Sequence, residues 1–124
     1  MITSLHHIAI LCSRRDVSLR FYETLGFALK ESHVRPERND EIIMMDGYGI
    51  TLELFISSNH PPRLTNPEAY GLRHLALKTV DIEEAVHRLE QAGYEAESIR
   101  RDSFTGEKMT FVKDPDGLPI ELHK

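Results

Sequence analysis

Apolar positions along this chain fall in short blocks separated by polar or glycine-bearing breaks, and the blocks come in two similar series. Leu5 to Cys12 is apolar, partly β-branched and too short for a helix, so it predicts a buried strand. Ser13-Arg14-Arg15-Asp16 has capping-box spacing, and Val17, Leu19, Phe21, Tyr22 and Leu25 supply an apolar helical face that ends before Gly26. Phe27 to Val34, Ile42 to Met45 and Ile50 to Ile56 then read as strands, with a polar stretch from Arg35 to Asp40 and an Asp46-Gly47 break between them. The first series is β-α-β-β-β.

The second series repeats that order. Arg73 to Thr79 predicts a strand, Asp81 an N-cap, and Ile82, Ala85, Val86 and Leu89 one face of a helix that stops at Gly93. An extended segment from Tyr94 to Arg101, a turn at Thr105-Gly106 and a hairpin through Asp114-Pro115-Asp116-Gly117 complete it. Pro61, Pro62 and Pro67 lack the N–H a central strand must donate, so they mark a connection. The chain of 124 residues thus reads as one domain, with module one at about 1–57, the connection at about 58–72 and module two at about 73–124. A half of about 60 residues buries too little surface to stand alone, so the modules must pack on each other or on another chain.

Each module opens on a histidine and closes on a glutamate. His7 stands 46 positions before Glu53, and His74 stands 47 before Glu121. Strand side chains alternate, so His7, Ala9 and Leu11 share one face while Ile8, Ile10 and Cys12 share the other. By the same parity Glu53 turns away from Leu52 and Leu54, and Glu121 from Ile120 and Leu122. An unpaired charge inside an apolar strand is costly, and a cation removes that cost. Two imidazoles and two carboxylates offset the charge of a divalent ion and leave two of six coordination positions open. The expected ligands of one divalent metal ion are therefore His7, Glu53, His74 and Glu121. Zinc, nickel, cobalt, manganese and iron(II) all suit this donor set.

Composition narrows the partners. A formal charge of -5 with mixed signs gives no basic stripe, which argues against nucleic acid and anionic membranes and leaves a small-molecule substrate. The single cysteine, Cys12, excludes an internal disulfide and reads as a small buried apolar side chain. No apolar run approaches the roughly 18 residues of a membrane span, and no signal-peptide pattern is present, so a cytoplasmic protein is expected.

Several motifs, in this order, carry a family likeness: His7-Ile8-Ala9-Ile10, Phe21-Tyr22 with Leu25-Gly26-Phe27, Glu53, Gly71-Leu72-Arg73-His74-Leu75-Ala76, and Asp114-Pro115-Asp116-Gly117 leading to Glu121. Together they resemble the vicinal-oxygen-chelate superfamily, in particular its short bacterial glyoxalase-I-like (lactoylglutathione lyase-like) proteins. The resemblance implies an α+β fold in which two βαβββ modules form a cupped mixed sheet around a divalent metal. It implies a lyase or isomerase that removes a proton beside a carbonyl and passes through a metal-bound enediolate, with Glu121 the first choice of base and Glu53 the second. It also implies a homodimer, with the modules paired within one chain or exchanged between two.

Two positions depart from the glutathione-using branch. An arginine there follows the first histidine by four residues and an asparagine follows the first glutamate by four, where this chain has Leu11 and Ser57. Arg35, Arg38, Arg63, Arg73, Arg100 and Arg101 remain as cations to meet an anionic substrate, each weighed against an ordinary solvated arginine. The alternatives are a ring-opening dioxygenase or an epoxide-opening, fosfomycin-resistance-like enzyme using only His7, His74 and Glu121, and a metal-containing binding protein without turnover. Phe55 and Phe111 are candidate pocket walls. His6, His33, His60, His87 and His123 are expected at the surface or in local hydrogen bonds, and Asp114 and Asp116 in a structural turn.

Overall fold

The computed structural model describes all 124 residues, which fall into two units, Met1–Pro61 and Pro62–Lys124. The first unit contains β1 (Ile8–Cys12), α1 (Arg15–Thr24), β2 (Ala28–Arg35), β3 (Asp40–Gly47) and β4 (Ile50–Ile56). The second contains β5 (Leu75–Lys78), α2 (Ile82–Gln91), β6 (Arg100–Arg101), β7 (Lys108–Lys113) and β8 (Pro119–His123). Each unit is a βαβββ module with its own four-stranded mixed sheet, in the orders β1-β4-β3-β2 and β5-β8-β7-β6. The α+β class expected from the sequence is present. No helix is long and apolar enough to cross a membrane.

Register explains which face each residue takes. In the first sheet Ile10 pairs with Leu54 and Leu54 with Ile43, a row that crosses three strands and is buried throughout. The neighbouring row, Ala9 with Glu53 and Glu53 with Met44, lies on the opposite face. Ser18, Phe21 and Tyr22 of α1 have no exposed surface and join that unit's apolar interior, as does the buried Cys12. In the second sheet Leu75, Ile120 and Val112 form the corresponding row, with Ile82 and Leu89 of α2 buried alongside.

Three local expectations are corrected. The helix begins one residue later than a Ser13 cap predicts: Arg14 holds the N-cap position and gives no side-chain capping bond. Arg15 binds the Asp16 carboxylate at 3.0 Å and reaches the Glu41 carboxylate at 3.0 and 3.1 Å. The inner face of α1 centres on Ser18, Phe21 and Tyr22, leaving Val17 exposed. Of the predicted Tyr94-to-Arg101 strand, Arg100–Arg101 forms a ladder with β7 and Ala96 an isolated bridge to Val112, while the Glu97 N–H donates to the Phe111 carbonyl at 2.8 Å and the Thr110 hydroxyl donates to the Glu97 carbonyl at 2.6 Å. The Asp81 cap is present, accepting the Glu84 N–H at 3.0 Å.

The two glycines that end the helices are equivalent in backbone and different in surroundings. Gly26 has φ +103° and Gly93 has φ +92°, so a side chain at either position meets left-handed strain of about 1–2 kcal/mol. At Gly26 an added Cβ would also sit 2.1 Å from the Tyr48 hydroxyl, which donates to the Leu25 carbonyl, whereas Gly93 has open space. Gly26→Ala is therefore expected to lower the urea midpoint more than Gly93→Ala, and equal midpoints would show that Tyr48 moves aside without loss.

Candidate metal centre

Each module builds one histidine–glutamate pair from the same local design. His7 precedes β1 by one residue and its Nε2 lies 3.0 Å from Glu53 Oε2 on the adjacent parallel strand β4. His74 precedes β5 by one residue and its Nε2 lies 2.9 Å from Glu121 Oε2 on β8. In both modules an alanine two residues after the histidine faces the glutamate: Ala9 opposite Glu53 and Ala76 opposite Glu121. A methyl group at that point leaves room for the imidazole to lean onto the carboxylate. The parity expected from the sequence is thus observed, with Leu52 and Leu54 buried on either side of Glu53.

The glutamates are the enclosed members. Their side chains are 15% and 10% exposed at Glu53 and Glu121, against 36% and 31% for His7 and His74, so in each pair the carboxylate is the costlier group to leave unpaired. The outer nitrogen of His7, Nδ1, meets His6 Nδ1 at 2.9 Å. Phe111 sets its ring edge-on to His74, with centroids 5.3 Å apart. A divalent ion with bonds of about 2.1 Å separates adjacent octahedral ligands by about 3.0 Å, which is the N–O spacing of both pairs. Each pair therefore has the spacing of two adjacent ligands of such an ion.

His123, expected at the surface or in local hydrogen bonds, makes several such bonds and has titratable neighbours. It stands two residues after Glu121 on β8 and shares its face. Ligand-type atoms of Asp102, Glu121 and His123 lie within 4.8 Å of one another. The His123 Nδ1 meets the Lys124 main-chain oxygen at 2.8 Å, and its Nε2 meets Thr105 Oγ1 at 3.2 Å and Asp102 Oδ2 at 3.3 Å. The main-chain bond to Lys124 is the first cause raising the His123 pKa, with burial opposing it and Asp102 adding to it. Asp102 is held below the usual carboxylate range, first by the Phe104 and Thr105 N–H groups, and burial opposes this. The period of two along β8 was the signal that places His123 beside Glu121.

The other candidates separate cleanly. Arg35 is paired with Asp40 through two bonds of 2.8 and 2.6 Å, which raises the guanidinium and lowers the carboxyl. Arg73 is held by Glu68, Arg100 by Glu97, Arg101 by the Gly106 carbonyl and Arg63 by the Leu72 and Arg73 carbonyls. Phe55 lies under the Arg35 guanidinium at 5.4 Å and Phe111 under that of Arg100 at 5.5 Å. His33 lies 3.4 Å from Glu31, and His60 bonds Ser57 at 3.0 Å. Asp114 is a turn residue, its Oδ1 accepting the Asp116 and Leu118 N–H groups at 2.9 and 2.8 Å.

With this geometry in hand, comparison with known proteins is specific. Residues 4–122 match the family described as the Glyoxalase/Bleomycin resistance protein/Dioxygenase superfamily. The chain is 42% identical over 126 residues to the uncharacterized protein YwkD of Bacillus subtilis (strain 168), covering 100% of this chain and 98% of that protein. A glyoxalase family protein from Enterococcus faecalis superposes with a TM-score of 0.93 at 48% identity, over 98% of this chain and 97% of that one. The fold alone is shared with FosX, a fosfomycin resistance protein from Listeria monocytogenes solved as a mutant with Mn(II) and dihydroxypropylphosphonic acid. That match has a TM-score of 0.78 at 17% identity and covers 99% of this chain and 93% of FosX. A glyoxalase I mutant from Zea mays matches at TM-score 0.79 and 17% identity, covering 94% of this chain and 43% of that chain.

Proposed function

The chain belongs to the glyoxalase/bleomycin resistance protein/dioxygenase superfamily, and from that premise we propose that it is a metal-dependent, glyoxalase-I-like lyase or isomerase acting on a small oxygenated substrate. His7, Glu53, His74 and Glu121 hold one divalent ion in this reading, within one chain or across a homodimer. The observation that carries it is the duplicated pair: an imidazole nitrogen at 3.0 or 2.9 Å from a glutamate enclosed in an apolar strand, once in each unit. A divalent ion bound there polarises a substrate carbonyl and makes the adjacent C–H more acidic.

The chain's own residues supply the proton transfers. A Glu121 carboxylate oxygen takes the proton from the carbon bearing hydroxyl and sulfur in a hemithioacetal, and the released electron pair forms a double bond to the carbonyl carbon. The carbonyl π pair moves onto its oxygen. Returning the proton to the former carbonyl carbon, while the hydroxyl proton moves to the new alkoxide, gives the 2-hydroxyacyl thioester with no atom gained or lost. The Glu121 side chain is only 10% exposed, which keeps its surroundings low in water. Glu53 has the same form and is the second candidate for the proton.

The test is made on protein purified without added metal, then reconstituted and assayed with methylglyoxal and several thiols in deuterated solvent. The expected result is about one divalent ion per four-ligand site, deuterium in the product beside the new thioester and no oxygen uptake. Oxygen consumption would assign the chain to the dioxygenase branch. Protein that binds metal but exchanges no proton and turns over nothing would be a binding protein.

A further inference from the structure

We infer that the first unit carries an anion subsite, built on Arg38, that selects a substrate whose thiol portion ends in a carboxylate. The inference rests on the isomerase reading above and names the substrate class for the same site. A cavity of about 590 Å³ opens on the face of the first sheet, and the paired Arg35 and Asp40 together with Arg38, Asn39, Ser57, Asn59 and His60 are its polar lining. Leu11 and Phe55 form its apolar walls. Phe55 is two residues beyond Glu53 on the same face of β4, and Ser57 two further. At about 3.3 Å per residue, the polar end lies about 7 to 13 Å along the strand from the Glu53 carboxylate.

Charge singles out Arg38. Arg35 also lines the cavity, but Asp40 neutralises it through two hydrogen bonds. Arg38 has no hydrogen bond or ion pair within the chain, in contrast to Arg35, Arg63, Arg73, Arg100 and Arg101. Its backbone is also held in place. The turn Pro36–Arg38 is closed by the Asn39 N–H donating to the Pro36 carbonyl at 3.2 Å, and Asn39 takes the left-handed conformation at φ 52°. The Arg35–Asp40 pair clamps the two ends of that turn. A guanidinium so placed is ready to accept a planar oxyanion in a fork, and one uncompensated positive charge matches a monoanionic carboxylate.

The same cavity explains how this chain departs from the glutathione-using branch. Leu11 and Ser57, which stand in place of the arginine and asparagine of that branch, both line it. Recognition therefore moves to the turn between β2 and β3, with Arg38, and to the segment after β4, where the His60 ring is held on Ser57 Oγ at 3.0 Å. Such a pocket takes an elongated ligand. Its carbonyl and hydroxyl oxygens sit at Glu53, its aliphatic middle lies over Leu11 and Phe55, and its carboxylate meets Arg38.

The test uses zinc-reconstituted protein and two thiols of equal length, 6-mercaptohexanoate and 6-mercaptohexanol. As methylglyoxal adducts, the acid is expected to show a KM about fivefold below that of the alcohol. Arg38→Gln is expected to erase that difference, the KM of the acid adduct rising to that of the alcohol adduct. Independently of turnover, titration with 6-mercaptohexanoate should shift the amide resonances of Arg38, Asn39, Asn59 and His60 saturably in wild type and not in Arg38→Gln. Equal KM values for acid and alcohol with no such shifts would overturn the subsite while the isomerase reading stands. Shifts that persist without turnover of either adduct would support the subsite and overturn the reaction.

Discussion

Glu121→Gln is expected to lower turnover by about a hundredfold to ten-thousandfold while leaving the chain folded. The replacement keeps the volume and one carbonyl oxygen of the side chain but cannot take a proton at neutral pH. Packing gives little reason for collapse, since Ile120 and Leu122 keep their burial on the other face of β8 and Ala76 still faces position 121. Metal content is expected to fall less than turnover, because the amide oxygen remains a neutral donor beside His74. Deuterium exchange into recovered substrate separates the two roles: a variant that retains metal and loses exchange has lost the base. Full activity would transfer the base role to Glu53, the equivalent carboxylate, and Glu53→Gln made in parallel would then carry the defect. The 10% and 15% exposures of the two side chains make Glu121 the better shielded base.

Much of this was legible in the sequence because the relevant rules are short-range and were written twice. A strand's period of two assigned Glu53 and Glu121 to the face opposite their leucine and isoleucine neighbours, and the structure places them there. The equal offset of His7 from His74 and of Gly26 from Gly93 exposed the duplicated βαβββ order. What was not legible depended on partners far along the chain. Arg15 bonding Glu41, 26 residues away, engages a side chain at the head of α1, and no local pattern announces it. Thr110 bonding Glu97, 13 residues away, is likewise beyond any local pattern, as is the reduction of the expected strand to a bridge at Ala96 and a ladder at Arg100–Arg101. The arginines show the same division: all six candidates looked alike as letters, and only pairing in space left Arg38 without a partner. His123 lay within reach of the same parity argument that found Glu121, but its contact with Asp102 required the turn at Thr105 to fold back.

His7→Ala and His74→Ala, made singly, are each expected to strip nearly all the metal, although the two histidines belong to different units. The reasoning is one of donor number. Each unit alone offers one imidazole and one carboxylate, and two donors hold a divalent ion far more weakly than four. Loss of a group that merely orients a ligand already lowers metal affinity about 10- to 100-fold, so loss of a ligand exceeds that. If the units bound separate ions, wild type would carry two per chain and each variant would keep one. Inductively coupled plasma mass spectrometry of dialysed protein distinguishes one ion falling to near zero from two falling to one. Mixing the two variants then asks which chains supply the pairs. A site assembled within one chain stays incomplete in every mixed molecule, whereas a site assembled across a dimer regains an intact His7–Glu53 pair from one chain and His74–Glu121 from the other. Recovered metal and recovered turnover in the mixture would therefore place the four ligands on two chains, and their continued absence would place them on one.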